Sequence, residues 1–237
     1  MNRNLLAMSY TARKEKHDKD VRILVNFLFS FILIHIFFNF IICPVKQTSK
    51  SMVPDIPENS YVMVSPMMKN PQRGDVVLIK AKTSNTNNFF KKVINPFVKF
   101  FTGQQISLTE NMNVPGTKPH LRRIIALPGD TIYMKDFLVY VKPAGEKHFL
   151  TEYELSDSLY KIGSAHLPAG WDNSIAIQSS FDEITLKKNE YFVLGDNRNH
   201  SSDSRTTAVG PIKREKIIGK AWVRIYPFNS IGVVEHK

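Results

Sequence analysis

The stretch Leu121-Arg122-Arg123-Ile124-Ile125-Ala126-Leu127-Pro128-Gly129-Asp130 decides the fold of this chain. It joins a short strand-like run to a turn, in which proline fixes φ and glycine supplies a conformation that other residues resist. Two brief segments rich in β-branched and aromatic residues follow, at 131–134 and 137–141. Segments of this kind, bounded by turn residues, are typical of buried strands.

Further segments of the same type lie on both sides of that stretch. They are residues 61–64, 75–80, 191–194 and 221–226. Arg73-Gly74-Asp75 predicts a turn that leads into the second of them. No long segment with a helical period follows residue 44. We therefore predict a mainly β domain, whose strands close on themselves or pack as two sheets.

The segment from Ile23 to Cys43 is a predicted transmembrane anchor. It carries no formal charge, and its length suits a helix that spans a bilayer. Six lysines and arginines precede it, whereas the first stretch beyond it offers only Lys46 and Lys50. By the positive-inside rule, residues 1–22 are cytoplasmic and the chain from residue 44 onward is extracytoplasmic. No Ala-x-Ala pattern closes the segment, which argues against a cleaved leader.

Cysteine content and charge exclude several classes of protein. Cys43 is the single cysteine, so the chain has no internal disulfide and no thiolate metal cage. We predict that no metal and no cofactor is needed. The net charge is +11, but the lysines and arginines are scattered along the chain. This distribution indicates a bilayer with anionic lipid as the partner, and not a nucleic acid.

Two stretches interrupt the β-type pattern. Residues 83–118 form an insertion, in which the apolar residues of segment 89–101 share one helical face. This segment is either a short interfacial helix that dips into lipid, or a surface loop or hairpin with a local hydrophobic cluster. Pro96 argues against an unbroken helix. Residues 142–187 are polar and poorly periodic, and they predict a smaller variable lobe away from the chemistry.

Three short blocks follow one another in a fixed order along the chain. They are Ser49-Lys50-Ser51-Met52-Val53-Pro54, then Leu121-Arg122-Arg123 with Leu127-Pro128-Gly129-Asp130, then Gly195-Asp196-Asn197-Arg198 with Ser201, Asp203 and Arg205. Together they resemble the bacterial type I signal peptidases, membrane-anchored serine proteases that remove leader peptides from exported proteins. The resemblance covers residues 23–82, 119–141 and 189–235. It implies a signal-peptidase-like β domain over residues 44–237, behind one N-terminal transmembrane helix.

The resemblance assigns roles to residues of the first block. Ser51 matches the nucleophile, whose Oγ attacks the scissile carbonyl and forms an acyl-enzyme. Ser49 matches the residue whose hydroxyl supplies the second oxyanion donor, beside the backbone N–H of Ser51. Met52 matches a residue that lines the pocket for a small substrate side chain. Asp55 departs from the family, which usually has Thr or a similar residue there.

The second block departs from the family at the general base. Arg122 stands where the family has a lysine, and an arginine side chain keeps its proton at working pH. His120 is an alternative base, because it shares a strand face with Arg122. Two residues along a strand displace it by about 6.6 Å, however, and proton transfer needs roughly 3 Å. A kink at Pro119 could change that distance.

The third block predicts an ion-pair network that holds a loop against the catalytic strands. By resemblance, Arg123 pairs with Asp196, and Asp203 pairs with Arg205. Ser201 matches the hydroxyl that orients the lysine ammonium in the family. These pairs are structural, and the serine is a base-orienting residue.

Two functional hypotheses follow from these blocks. The first is an active signal peptidase of the bacterial cytoplasmic membrane, single-pass, which acts on signal-peptide-bearing precursor proteins. Its substrate would lie extended beside the Ser51 segment and the strand of Arg122. The second is a catalytically impaired paralogue that acts as a peptide-binding or assembly factor. Arg122 favours the second hypothesis, whereas the retained serines favour the first.

Overall fold

The computed structural model describes residues 3–67, 70–80, 88–110, 118–155, 162, 179–207 and 209–234. Within these ranges the chain forms two α-helices, α1 (Arg3–Phe40) and α2 (Phe89–Phe101), and twelve strands. The strands are β1 (Cys43–Lys46), β2 (Tyr61–Ser65), β3 (Val76–Ile79), β4 (His120–Ala126), β5 (Thr131–Lys135), β6 (Leu138–Lys142), β7 (Leu150–Thr151), β8 (Phe181–Thr185), β9 (Glu190–Leu194), β10 (Ile212–Lys213), β11 (Ile217–Tyr226) and β12 (Gly232–Val233).

The strands form two sheets. The larger one has the order β1-β2-β11-β3-β4-β9-β10, with β12 paired to β11, and the smaller one has the order β7-β6-β5-β8. The prediction of a mainly β fold is confirmed, and of the two arrangements considered the chain adopts the one with two sheets. β7 and β8 come from the predicted lobe and complete the smaller sheet. Residues 156–161 and 163–178 of that lobe lie outside the described residues.

The first helix ends earlier than the predicted anchor. α1 stops at Phe40, and Cys43, which we placed at the end of the anchor, is instead the first residue of β1. Cys43 precedes Pro44, and a residue before proline is pushed towards extended backbone. It pairs there with Val64 of β2. Across the described part of the chain, no helix combines the length and apolar character that crossing a membrane requires.

The turn at 127–130 joins the two sheets. Gly129 has φ of 90°, a conformation that favours glycine, and Asp130 N–H donates to the Leu127 carbonyl at 3.1 Å. The Asp130 carboxylate closes the turn, because it accepts from the Leu127 N–H at 2.7 Å and from Arg73 Nη2 at 2.5 Å. These hydrogen bonds are sufficient to explain the rigid turn, and no catalytic role is needed to account for it.

Separate hydrophobic clusters support the two sheets. The cluster under the larger sheet includes Val45, Met52, Ile56, Val62, Leu78 and Leu121. The cluster between the turn and the smaller sheet includes Ile125, Ile132, Met134, Val139, Val141 and Phe192. β4 contributes Leu121 to the first cluster and Ile125 to the second, so the strand that carries Arg122 is anchored in both.

The segment 89–101 is a helix, and the alternative of a loop or hairpin is wrong. Asn88 caps its N-terminus by accepting from the Lys91 N–H at 3.3 Å, and Pro96 lies inside it without ending it. Residues 83–87 and 111–117 of the predicted insertion lie outside the described residues.

Candidate active site

Ser51 lies in a single 3₁₀ turn, Lys50–Met52, that follows β1. The residue is only 2% exposed. Its Oγ accepts a hydrogen bond from Arg122 Nη1 at 2.9 Å and another from Gln47 Nε2 at 3.2 Å. The Ser49 hydroxyl lies 3.0 Å away. A serine oxygen has two acceptor sites and one proton, so the two N–H donors leave Ser49 Oγ as the acceptor for the Ser51 proton.

Arg122 is held in one orientation by backbone carbonyls. Its Nε and Nη2 both donate to the Ser202 carbonyl, at 3.1 and 2.7 Å, and Nη1 donates to its neighbour Leu121 at 2.6 Å. Burial lowers the pKa of the Arg122 guanidinium to about 10, with the charge of Asp203 opposing and that of Arg205 adding to this effect. At neutral pH the side chain is therefore still a cation, and it points a charged N–H at the Ser51 oxygen.

The structure does not bring His120 to Ser51. The ring Nδ1 of His120 lies 3.3 Å from the Lys118 carbonyl, and in the described ranges the hydrogen-bond partners of Ser51 Oγ are Gln47, Ser49 and Arg122. Burial and the charge of Arg122 lower the pKa of His120 to about 4. The imidazole is consequently neutral at physiological pH and a weak base.

The third block packs directly against the Ser51 segment. Asn197 N–H donates to the Ser51 carbonyl at 3.0 Å. A Cβ on Gly195 would lie 2.2 Å from Ser201 Oγ and 2.6 Å from the Ser51 carbonyl oxygen, so only glycine fits between the two segments. Ser201 is 1% exposed, and its hydroxyl makes no hydrogen bond of ordinary geometry within the described ranges. It nevertheless lies close enough to Asp203 to contribute to lowering the pKa of that carboxyl.

Arg123 is fully buried at the centre of an ion network. Its Nε and Nη2 donate to the two carboxylate oxygens of Asp196, both at 2.8 Å, and Nη1 donates to the Gly74 carbonyl at 2.8 Å. Nη2 also reaches Asp55 at 2.6 Å. Burial raises the pKa of the Asp196 carboxyl, and the two bonds from Arg123 oppose that rise. The network ties the first and third blocks to β4.

A second buried pair closes the loop on itself. Arg205 Nε and Nη2 donate to the two oxygens of Asp203, both at 2.8 Å, and Gly195 N–H donates to the same carboxylate at 3.1 Å. Burial works to raise the pKa of Asp203, but the bonds and charge of Arg205 hold it below its usual range. Asp203 is therefore an anion that fixes the loop beside Ser51.

Sequence reasoning missed three residues of the site. Gln47 donates to Ser51, Asp55 pairs with Arg123, and Glu152 holds the fully buried Arg198 through two hydrogen bonds. Asp55 carried a signal, because a carboxylate stands there in place of the family's usual neutral residue. Gln47 and Glu152 carried none that a single sequence could reveal.

Met52 has no exposed surface and lies in the cluster under the larger sheet. Among the described residues, no three His, Cys, Asp or Glu side chains are grouped as a metal site would require. The site thus offers a buried serine hydroxyl, a charged donor aimed at it, and a rigid ion-paired frame. The arrangement suits a serine hydrolase, and in the described part of the chain no histidine hydrogen-bonds to the Ser51 hydroxyl.

Comparison with known proteins identifies the family. The family model described as signal peptidase, peptidase S26, matches residues 21–226. Signal peptidase I P of Bacillus subtilis subsp. natto is 24% identical over 196 residues, 81% of each chain, and signal peptidase I T of Bacillus subtilis (strain 168) is 22% identical over 214 residues, 88% of this chain and 84% of that one. A solved signal peptidase I from Enterococcus faecalis V583 covers 65% of this chain and 97% of its own, with 21% identity and a TM-score of 0.32.

The chain therefore belongs to the signal peptidase family, peptidase S26. This confirms the class predicted from the three sequence blocks, a serine endopeptidase of the signal peptidase I type.

Proposed function

We propose that this chain is a membrane-anchored signal peptidase that removes N-terminal signal peptides from exported proteins, with Ser51 as its nucleophile. The observation that carries the proposal is the 2.9 Å hydrogen bond from Arg122 Nη1 to Ser51 Oγ. Gln47 adds a second N–H to the same oxygen. Two N–H donors, one of them charged, stabilise the serine alkoxide and favour loss of the hydroxyl proton.

Arg122 acts as a charged donor in this proposal, and not as the lysine-type base of the family. The Ser51 O–H bond breaks as the oxygen attacks the scissile carbonyl carbon, and the proton passes to Ser49 Oγ. Ser49 is exposed to solvent and releases its own proton to hydroxide, which forms water. The Ser51 oxygen is left bonded to the substrate carbon, and the carbonyl oxygen carries the negative charge.

The residues around the nucleophile keep the roles that the resemblance implies. The backbone N–H of Ser51 is one oxyanion donor, and the Ser49 hydroxyl is the second once it holds the proton that it receives from Ser51. Met52 stands where the family lines the pocket for a small substrate side chain, but here it has no exposed surface. Ser201 occupies the base-orienting position of the family, behind the catalytic pair.

The third block supplies a structural frame in this proposal. Its ion pairs, Arg123 with Asp196 and Arg205 with Asp203, hold the loop in place. All four side chains are buried. The pairs therefore take no part in the bond changes, and they serve to keep Gly195 against the Ser51 segment.

The first half of β4 offers an edge for an extended substrate. β9 pairs with β4 only from Arg123 to Ala126, so among the described strands residues 120–122 are paired on one side, by β3. A peptide laid along that side would run past Arg122 and Ser51 and add a strand through main-chain hydrogen bonds. We infer that the signal peptide binds there, with shallow pockets selecting small side chains at alternate positions.

We propose the apolar part of α1, from Ile23 to the helix end, as the anchor, although no described helix meets the length and apolar character of a membrane span. Its support is the uncharged sequence and the exposure of its apolar side chains, such as Ile23 at 67% and Phe27 at 66%. The lysines and arginines that precede it place residues 1–22 in the cytoplasm. The β domain from residue 44 onward then lies outside the cytoplasmic membrane, where signal peptides of exported precursors arrive.

Cleavage of a model precursor by the purified full chain in detergent tests the proposal. Wild type should cleave, Ser51→Ala should not, and Arg122→Lys should cleave faster than wild type at neutral pH, because lysine releases a proton more readily. Arg13→Lys is the matched control, since Arg13 lies on α1 outside the β domain. If neither wild type nor Arg122→Lys cleaves while both bind the precursor, the chain is a peptide-binding paralogue and the proposal fails.

A further inference from the structure

α2 is an amphipathic helix whose apolar side faces away from the domain. At 100° per residue, Lys91, Lys92, Asn95 and Lys99 fall within one arc of about 100°, and apolar residues occupy the rest. A helix on a water-soluble domain buries its apolar side and exposes its polar side. Here Phe89, Phe90, Ile94 and Phe101 are 72%, 75%, 48% and 76% exposed.

The middle of the polar arc, Asn95 and Lys99, is covered by the chain itself, whereas Lys91 and Lys92 at its margins are exposed. Asn95 is buried, its Nδ2 donates to Thr109 Oγ1 at 2.9 Å, and its Oδ1 accepts from the Leu108 N–H at 2.7 Å. Lys99 Nζ lies 2.7 Å from a Glu110 carboxylate oxygen. These bonds fix the rotation of the helix about its axis, so the outward direction of the apolar side is built into the fold.

The C-terminal end of α2 is attached to the strand that follows α1. Lys46 N–H donates to the Gly103 carbonyl at 2.9 Å, and Gln104 Nε2 lies 3.0 Å from Cys43 Sγ. Gly103 has φ of 59°, and a Cβ there would lie 2.9 Å from the Cβ of Lys46, so the approach requires glycine. The exposed apolar side of α2 is thereby held at the end of α1.

The apolar side of α2 continues onto the apolar part of α1. Phe97 stacks on Phe31 of α1, with ring centroids 5.3 Å apart and 22° between the planes. We propose that this combined surface, the apolar arc of α2 together with the adjoining face of α1, is embedded in the lipid of the outer leaflet. The exposed Lys91 and Lys92 flank it and suit anionic headgroups. This inference rests on the anchor proposed above.

Lipid contact through α2 would fix the orientation of the β domain relative to the bilayer. A single embedded helix fixes the domain at one point of the bilayer, whereas a second embedded helix also fixes its tilt. Since β1 leads from this attachment to the turn of Ser51, the nucleophile would be held at a constant height above the bilayer.

Depth-dependent fluorescence quenching in proteoliposomes tests the inference. The full chain carries a dye at Phe90→Cys, on the apolar arc, or at Lys92→Cys, on the polar arc, in vesicles of phosphatidylglycerol and phosphatidylcholine with doxyl-labelled acyl chains. Cys43 is buried, and the labelled wild type serves as the blank. A third label at Phe29→Cys reports on α1. We expect several-fold stronger quenching at position 90 than at position 92.

The three labels separate the two proposals. Quenching at 29 without quenching at 90 overturns the lipid contact of α2 and leaves the anchor in place. Quenching at 90 without quenching at 29 overturns the anchor and, with it, the embedded surface that α2 is proposed to share with α1. A third outcome is a dye at position 90 that is shielded from water but is not quenched by the labelled lipid. If that dye becomes exposed when the protein is diluted among more vesicles, a second copy of the chain covers this surface, and the inference is wrong.

Discussion

Cleavage should accelerate about tenfold for each pH unit between pH 7 and pH 9, or about a hundredfold in total. Ser51 shares its hydrogen bond with a guanidinium whose pKa burial lowers to about 10. The Ser51–Arg122 pair can lose one proton in two ways, which leave either an alkoxide beside a charged guanidinium or a hydroxyl beside a neutral one. Kinetics cannot tell these two forms apart. The cleavage rate therefore follows the fraction of enzyme in which the pair has lost one proton, and it should level off near pH 10.

Replacing the guanidinium by an amine should move this profile to lower pH. An ordinary lysine has a pKa of about 10.4, roughly two units below that of arginine, and the same burial would bring it to about 8. Arg122→Lys should then cleave up to about a hundredfold faster than wild type at pH 7 to 8. The loss of the two bonds to the Ser202 carbonyl works against this gain.

Initial rates on a fluorogenic precursor peptide from pH 6 to pH 9 provide the measurement. Ser51→Ala sets the background, Arg13→Lys is the control, and thermal unfolding at each pH shows that the protein stays folded. A wild-type rate that is flat above pH 6 would refute the reasoning. It would indicate a base of low pKa instead, such as His120, whose pKa is about 4.

Three further substitutions test the frame of the site. Gly195→Ala should slow cleavage and cost about 1–3 kcal/mol of unfolding free energy, because its Cβ would lie 2.6 Å from the Ser51 carbonyl oxygen; an unchanged melting temperature would contradict this. Gln47→Leu should lower kcat about fivefold with KM unchanged, as expected for one neutral hydrogen bond to the reacting oxygen; a change confined to KM would count against it. Glu152→Gln should cost about 3–5 kcal/mol in denaturant unfolding, since it leaves the buried Arg198 charge uncompensated; a cost below about 1 kcal/mol would disprove the buried pair.

The sequence was sufficient to predict the β architecture and its turns. Short β-branched segments report burial on a pleated surface directly, and the Leu127–Asp130 turn needs only its own proline and glycine. The predicted end of the first helix, Cys43, lies three residues beyond the observed end, Phe40. The apolar residues continue past Phe40, but Pro44 favours an extended backbone at the residue before it. The sequence does not decide between a helix and a loop at 89–101, because Pro96 indicates a break that the structure does not have.

The partners of buried charges could not be read from sequence spacing. Asp55 and Arg123 are 68 residues apart, and Glu152 and Arg198 are 46 apart. Such pairs depend on how the two sheets and the loop of the third block are stacked, which a single sequence does not reveal. Gln47 reaches Ser51, four residues further on, because Ser51 lies in the 3₁₀ turn Lys50–Met52 that follows β1.

The short connection between α1 and the nucleophile has a consequence for substrate choice. β1 starts at Cys43, three residues after α1 ends, and Ser51 follows Cys43 by eight residues. A chain of that length reaches at most about 27 Å. We therefore expect a precursor to be cut only where its scissile bond lies within that distance of the start of β1, and a peptide held farther away to remain uncut whatever its side chains.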